Sequence, residues 1–172
     1  LRCRKPRKTL PHAKWAATIV GVRKLNLDNS PVTDAALQAL GPMPELRDLS
    51  LTRTLITDDA LPMIVKQFPG LEAVRLDRTA ITDKNLSELS KLTSLQQLSL
   101  FRTRVSDSGC LQLVKIATLK KLSLDQTQIT DVGFKTMAKI PKLESLSVWK
   151  TQVTDEAAAA FAEEHVNVKL NR

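Results

Sequence analysis

Apolar residues recur along this chain in one phrase that is written six times. The clearest copy is residues 119–131, LKKLSLDQTQITD, which reads Leu-x-x-Leu-x-Leu-x-x-Thr-x-Ile-Thr-Asp. The phrase starts at Val22, Leu46, Leu71, Leu95, Leu119 and Leu143, at spacings of 24, 25, 24, 24 and 24 residues. A fixed period of this length predicts a solenoid of stacked units. Within each copy the Leu-x-Leu pair alternates apolar and polar, the pattern of a short half-buried strand. Six parallel strands are therefore expected near residues 24–26, 48–50, 73–75, 97–99, 121–123 and 145–147. The leucines should point inward, and the residues between and after them to the opposite face.

A helix is expected after each Thr-Asp. Asp34, Asp58, Asp83, Asp107, Asp131 and Asp155 stand where an N-cap or first-turn acid belongs, favoured by free backbone N–H groups and the helix dipole. The next apolar positions fall three, six and nine residues on: Phe134, Met137 and Ile140 in the fifth copy, Leu86, Leu89 and Leu92 in the third. That spacing is helical, or 3₁₀ in tighter copies. The residue before the first of them is small in five copies (Ala36, Ala60, Gly109, Gly133, Ala157) and Asn85 in the other. Small side chains there would let neighbouring units approach closely.

A solenoid exposes its core at both ends, so capping segments are expected. Residues 12–21, with Ala13, Trp15, Ala16, Ile19 and Val20, read as an N-terminal cap, and residues 22–166 as the six repeats. The last helix, 155–165, carries Ala157 to Ala160 and then Glu163 and Glu164, a polar outer face suited to a C-terminal cap. Within the end segment 167–172, Val168 and Leu170 predict one more short strand. Residues 1–11 are basic, contain Pro6 and Pro11 and few apolar residues, the composition of a disordered segment.

The Leu-x-x-Leu-x-Leu cores, from Val22/Leu25/Leu27 to Leu143/Leu146/Val148, resemble the leucine-rich-repeat family. Members usually follow the core with Asn or Cys; here the position holds Ser30, Thr54, Thr79, Thr103, Thr127 and Thr151. The Thr-x-Ile/Val-Thr-Asp continuation is similar to a bacterial variant close to the cysteine-containing repeats found beside F-boxes. No F-box is present, so that family's ubiquitin role does not transfer. The resemblance implies an α/β, right-handed solenoid with a parallel sheet on its concave face and helices on its convex face. It also implies a non-enzymatic protein-binding module or scaffold.

Charge changes this picture less than the total suggests. The 172 residues carry a formal net charge of +8, but Arg2, Arg4, Lys5, Arg7, Lys8 and Lys14 precede Trp15 with no acid among them. The repeats themselves are nearly neutral. A basic leader is usually a solvated linker; it is also a candidate contact for nucleic acid or an anionic surface. It lacks interleaved aromatics, so base stacking is unsupported. No apolar run is long enough for a transmembrane helix. The chain begins at Leu1 instead of Met, which reads as a processed or trimmed chain, so its compartment is not legible.

Candidate chemistry is sparse. Cys3 and Cys110 cannot make a disulfide framework and have no metal-ligand spacing. Cys110 falls on the buried helix position of Leu37, Leu61 and Leu86 and reads as a small hydrophobe. His12 and His165 lie in opposite caps. No acid, base and nucleophile come together; no catalytic residue, metal or cofactor is assigned. The six aspartates could suggest a calcium ladder, but calcium needs six to eight converging oxygens; helix capping is the expected role. The Thr hydroxyls are expected to bond a neighbouring repeat's backbone, as Asn does in the family.

The strand face is more informative. One exposed column reads Asp28, Thr52, Asp77, Phe101, Asp125, Trp149; the next reads Asn29, Arg53, Arg78, Arg102, Gln126, Lys150; that between the leucines reads Asn26, Ser50, Arg75, Ser99, Ser123, Ser147. Arg53, Arg75, Arg78 and Arg102 are thus expected mid-face, either as a solvated surface compensated by Asp77 or as an anionic-ligand patch. Phe101 and Trp149 are expected exposed among polar neighbours, where aromatics and arginine dominate binding. Arg53, Arg75, Arg78, Phe101, Arg102, Trp149 and Lys150 form the candidate partner surface. The partner is an unidentified protein, an acidic one being compatible with the arginines; nucleic acid or an anionic polysaccharide is the alternative. A monomer is expected.

Overall fold

The structure is a computed structural model and describes residues 21–172. The expected basic segment 1–11 and the cap up to residue 20 lie outside the described residues. The elements run β1 (Lys24–Asn26), α1 (Asp34–Ala39), β2 (Asp48–Ser50), α2 (Ala60–Gln67), β3 (Ala73–Arg75), a 3₁₀ helix (Leu86–Lys91), β4 (Gln97–Ser99), α3 (Asp107–Leu113), β5 (Lys121–Ser123), α4 (Asp131–Met137), β6 (Ser145–Ser147), α5 (Asp155–Glu164) and β7 (Lys169–Asn171). All six expected strands form at the expected residues. The seventh is the short strand suggested by Val168 and Leu170. They make one open parallel sheet in sequence order. Leu25, Leu49, Val74, Leu98, Leu122, Leu146 and Leu170 pair in a single row.

One core runs the length of the stack. From the second repeat onward, strand leucines such as Leu49, Leu51, Leu100 and Leu124 are fully buried, as are Leu37, Leu61, Leu86, Cys110 and Phe134 beneath the helices. In the first repeat Val22, Leu25 and Leu27 are only half-buried. The 25-residue repeat absorbs its extra residue in α2, which sends Phe68 into the core where the common spacing would put Gln67. In the third repeat Asn85 has φ 64° and opens no α-turn. The 3₁₀ helix that follows turns every three residues, which keeps Leu86, Leu89 and Leu92 in one buried line.

In four repeats the aspartate takes the first-turn place that was one of the two expected, and it is not the N-cap. Thr33, Ser106, Thr130 and Thr154 are the N-caps, their hydroxyls accepting from backbone N–H groups of the first turn. Asp34, Asp107, Asp131 and Asp155 are the first helical residues. Every one of the first five carboxylates instead reaches the next repeat. Asp107 accepts from Thr130 N–H at 2.8 Å and from its hydroxyl at 2.7 Å. Asp34 does the same with Thr57, Asp58 with Thr82, Asp83 with Ser106 and Asp131 with Thr154. Asp155, in the sixth repeat, accepts from the Arg172 guanidinium, which also donates to Val153 O at 2.8 Å.

The small column makes room for this ladder. A Cβ on Gly133 would lie 2.3 Å from Asp107 Oδ1 and 2.9 Å from Asp107 Cα; one on Gly109 would lie 2.4 Å from Asp83 Oδ1. The Thr ladder also differs from expectation. Thr54, Thr79, Thr103, Thr127 and Thr151 each donate to the carbonyl three residues back in their own repeat, at 2.6–2.7 Å for Thr54, Thr79, Thr103 and Thr151. The hydroxyl closes the turn after the strand and does not bridge repeats.

Candidate functional site

Strand alternation turns the first and third residues of each strand to the open face. Over β3 to β6 those residues are mostly small, Ala73, Ser99, Ser123, Ser145 and Ser147, and they line a shallow groove of about 180 Å³ with Arg75 and Lys121. The first-residue column (Lys24, Asp48, Ala73, Gln97, Lys121, Ser145) was missed by the reading from sequence. It was available there: counting back one more step of two from the Leu-x-Leu pair finds it. Through it Asp48 pairs with Arg75, Nη1 to Oδ1 at 2.7 Å. Arg75 is therefore neutralised by Asp48 and not by Asp77.

The other three arginines do not stand in the middle of the face. Arg53, Arg78 and Arg102 lie in the turn that follows each strand, at the rim of the sheet. They share left-handed backbone with Asn29, Gln126 and Lys150, at φ 53–56°. Non-glycine residues rarely adopt this region, and apart from Asn29 their identities do not announce it. The cause is visible in the ladder. This conformation points the N–H groups of Asn29, Arg53, Arg78, Arg102 and Gln126 at the carbonyls of Thr52, Asp77, Phe101, Asp125 and Trp149 in the next repeat, each at 2.8 Å. The sheet's hydrogen bonding thus continues through the turn, which offsets the backbone strain.

Beside these residues runs the column of Asp28, Asp77 and Asp125. Asp28 Oδ1 accepts from Ser50 Oγ at 2.6 Å and Thr52 N at 2.8 Å. Asp77 Oδ1 accepts from Ser99 Oγ and, at 3.0 Å, from Phe101 N. Asp125 Oδ1 accepts from Trp149 N at 2.6 Å, and its Oδ2 from Ser123 Oγ at 3.2 Å. Each carboxylate fixes the backbone of the residue that follows it in the column. Two of those residues are the aromatics.

Trp149 is 44% exposed, as expected, with Lys150 Nζ 4.2 Å from its ring centre. Phe101, expected exposed, is half-buried, and the Arg78 guanidinium lies 5.2 Å from its ring centre. Arg53 reaches Asn29 Oδ1 at 3.3 Å. The candidate residues thus fall into three groups: Arg75 in an ion pair on the groove, Phe101 and Trp149 each under a cation, and Arg53 and Arg102 along the rim.

Elsewhere the chemistry is structural. Cys110 is fully buried, and burial first, then the charges of Asp107 and Asp83, push its thiol up to about 12. It stays protonated at neutral pH and packs as core. His165 stacks on Phe161 with ring centres 4.5 Å apart, at the end of α5; His12 lies outside the described residues. No group of His, Cys, Asp and Glu able to hold a metal ion occurs among the described residues. No helix there is long and apolar enough to cross a membrane.

The arrangement matches solved structures. An LRR protein of Leptospira interrogans superposes on 87% of this chain with a TM-score of 0.65 at 20% sequence identity. The chain is a leucine-rich-repeat solenoid. An internalin from Listeria monocytogenes is a second likeness, with a TM-score of 0.58 over 90% of this solenoid at 17% identity. The solenoid spans 36% of the first of those chains and 48% of the second. At these identities the likeness is one of fold. No family model matches the sequence, and neither does any curated protein.

Proposed function

We propose that this solenoid is a non-enzymatic protein-binding module that takes its partner on the concave face of the sheet. One observation carries the reading. In alternate repeats the column that otherwise holds the clipping aspartate is given to Thr52, Phe101 and Trp149, and the two aromatics stand under basic groups beside an open groove. Aromatics at such a place are the residue type on which binding energy concentrates, and the surrounding charges govern approach and specificity. Arg53, Arg75, Arg78, Phe101, Arg102, Trp149 and Lys150 are the proposed contact residues.

The test compares two doubly substituted chains in partner capture. Phe101→Ser with Trp149→Ser alters the concave rim. Leu111→Asp with Val132→Asp alters α3 and α4, where both side chains are exposed. Capture lost by the first pair and kept by the second is the expected result; the reverse overturns the reading.

A second reading is supported by the charge distribution: binding of an anionic polymer through residues 1–14 and the rim arginines. Such binding should weaken steeply with salt. Because six of the eight excess charges precede Trp15, removing residues 1–14 should lower the salt concentration needed for elution from heparin. Unchanged elution would leave only the arginines to carry this reading.

A further inference from the structure

We propose that the spacing of Phe101 and Trp149 selects one kind of partner segment: an acidic stretch in polyproline II conformation, with apolar side chains at positions i and i+3. The proposal rests on the concave-face reading above and adds the conformation and chemistry of what binds there. Phe101 and Trp149 occupy the same column of the fourth and sixth repeats. They are two strand spacings apart, about 9–10 Å. A polyproline II helix repeats every three residues at about 3.1 Å each, so side chains three apart lie on one face about 9 Å apart. An extended strand does not fit, since i and i+3 point to opposite faces and i and i+2 are only about 7 Å apart. An α-helix brings i and i+7 to about 10 Å, but it is about 10 Å thick, and the groove is shallow.

Charge supplies the second requirement. The groups flanking the two rings are Arg78, Arg102, Lys150 and, on the groove, Lys121. Asp77 and Asp125 are nearby, but their carboxylates are held by Ser99 Oγ, Phe101 N, Trp149 N and Ser123 Oγ. Arg75 is satisfied by Asp48. The Asp77 and Asp125 carboxylates keep their charge. None of the four cations flanking the rings is in an ion pair among the described residues, so positive charge is in excess there. Acidic residues of the segment would meet the rim cations, while its two apolar side chains meet the rings. Asp77 and Asp125 act as positioning residues, because each fixes the backbone from which a ring projects.

The experiment uses synthetic fluorescein-labelled acidic peptides carrying two leucines at every separation from adjacent to seven residues. Binding is read by fluorescence anisotropy against the full chain. Affinity should peak at a separation of three and fall roughly tenfold at two and four, the loss of one anchor. Phe101→Ser or Trp149→Ser should abolish the preference while leaving weak, salt-sensitive binding. Binding without any spacing preference, a peak at seven, or a peak at three that survives Trp149→Ser would each overturn the proposal. Failure of all acidic peptides would overturn it too. Concave-dependent partner capture beside that failure would mean that only the ligand assignment is wrong; capture that depends on α3 and α4 would sink the concave-face reading with it.

Discussion

Two ladders of aspartates join the repeats of this molecule, and they differ in one respect. On the turn that leads into the helices, Asp34, Asp58, Asp83, Asp107 and Asp131 each accept from the N–H and hydroxyl of the next repeat's Thr or Ser. The contact is made across each of the five junctions between the six repeats. On the concave rim, Asp28 and Asp77 likewise accept two donors of the next repeat and Asp125 accepts its Trp149 N–H, but these aspartates occupy only every second repeat. A contact the stack needs is kept in every unit. A contact that alternates leaves half its column free for side chains the stack does not need. Under the proposed function, the uniform column serves stability and the alternating one leaves room for recognition.

The largest effects should come from the uniform ladder. Asp107→Ala leaves the Thr130 N–H and hydroxyl without their charged acceptor in a half-buried turn, a loss of about 2–3 kcal/mol. The rim counterpart, Asp125→Ala, frees the N–H of an exposed residue that water can reach, and should cost under about 1 kcal/mol. Urea unfolding of both variants measures the difference; equal losses would erase the distinction. Gly133→Ala comes next. Alanine favours a helix over glycine by about 1 kcal/mol, but its Cβ would meet Asp107 at 2.3 Å and 2.9 Å, and overpacking of this kind costs about 1–3 kcal/mol. The net result should be destabilisation, smaller in an Asp107→Ala background where one of the two clashes is gone. A stabilised Gly133→Ala would mean the repeats can part without loss.

Acid should loosen the Asp131 rung of the uniform ladder, by a smaller amount. Asp131 is held below the ordinary carboxylate range, chiefly by the Thr154 N–H and then by its hydroxyl. A lowered folded-state value means the contribution is present above the unfolded pKa and is lost as pH falls through the folded one. The melting temperature of the parent chain should therefore drop faster on acidification than that of Asp131→Asn. Parallel curves would show that this rung carries no linkage.

The strands and the buried residues were legible because their signal is periodic: every Leu-x-Leu repeats one packing problem, and its six solutions reinforce each other. The third repeat's tighter helix was not legible, because Leu86, Leu89 and Leu92 have the same spacing as Phe134, Met137 and Ile140, whose segment forms an α-helix. Partner choice was not legible. The position of Asp107 says that a carboxylate stands at a helix start; it does not say that the acceptor's partner lies one repeat on, because that depends on how closely the units stack. Gly109 and Gly133 carried the clue, being smaller than any capping role requires. The left-handed turns at Arg53, Arg78 and Arg102 had no residue-type signal, since the demand for them comes from the neighbouring repeat's carbonyl. Among the candidate contacts, sequence found the columns but misjudged depth: it put the rim arginines mid-face and left Phe101 open where it is half-buried.

The smallest effect on folding should belong to the residue on which the rim reading most depends. Trp149 is 44% exposed and its ring meets Lys150. A solvent-exposed cation–ring pair is worth about 0.5–1 kcal/mol, so Trp149→Ala should cost no more than that, against about 3–5 kcal/mol for a buried Trp. Phe101, half-buried beneath Arg78, should cost more than Trp149 when truncated and less than a core phenylalanine such as Phe134. Thermal unfolding of Trp149→Ala, Phe101→Ala and Phe134→Ala in parallel orders the three. If Trp149→Ala unfolds as easily as Phe134→Ala, the ring is part of the stack and the alternation on the rim is only a second way of holding repeats together. If it unfolds like the parent, the stack has no use for an indole at that position, which is the result the proposed concave-face binding requires.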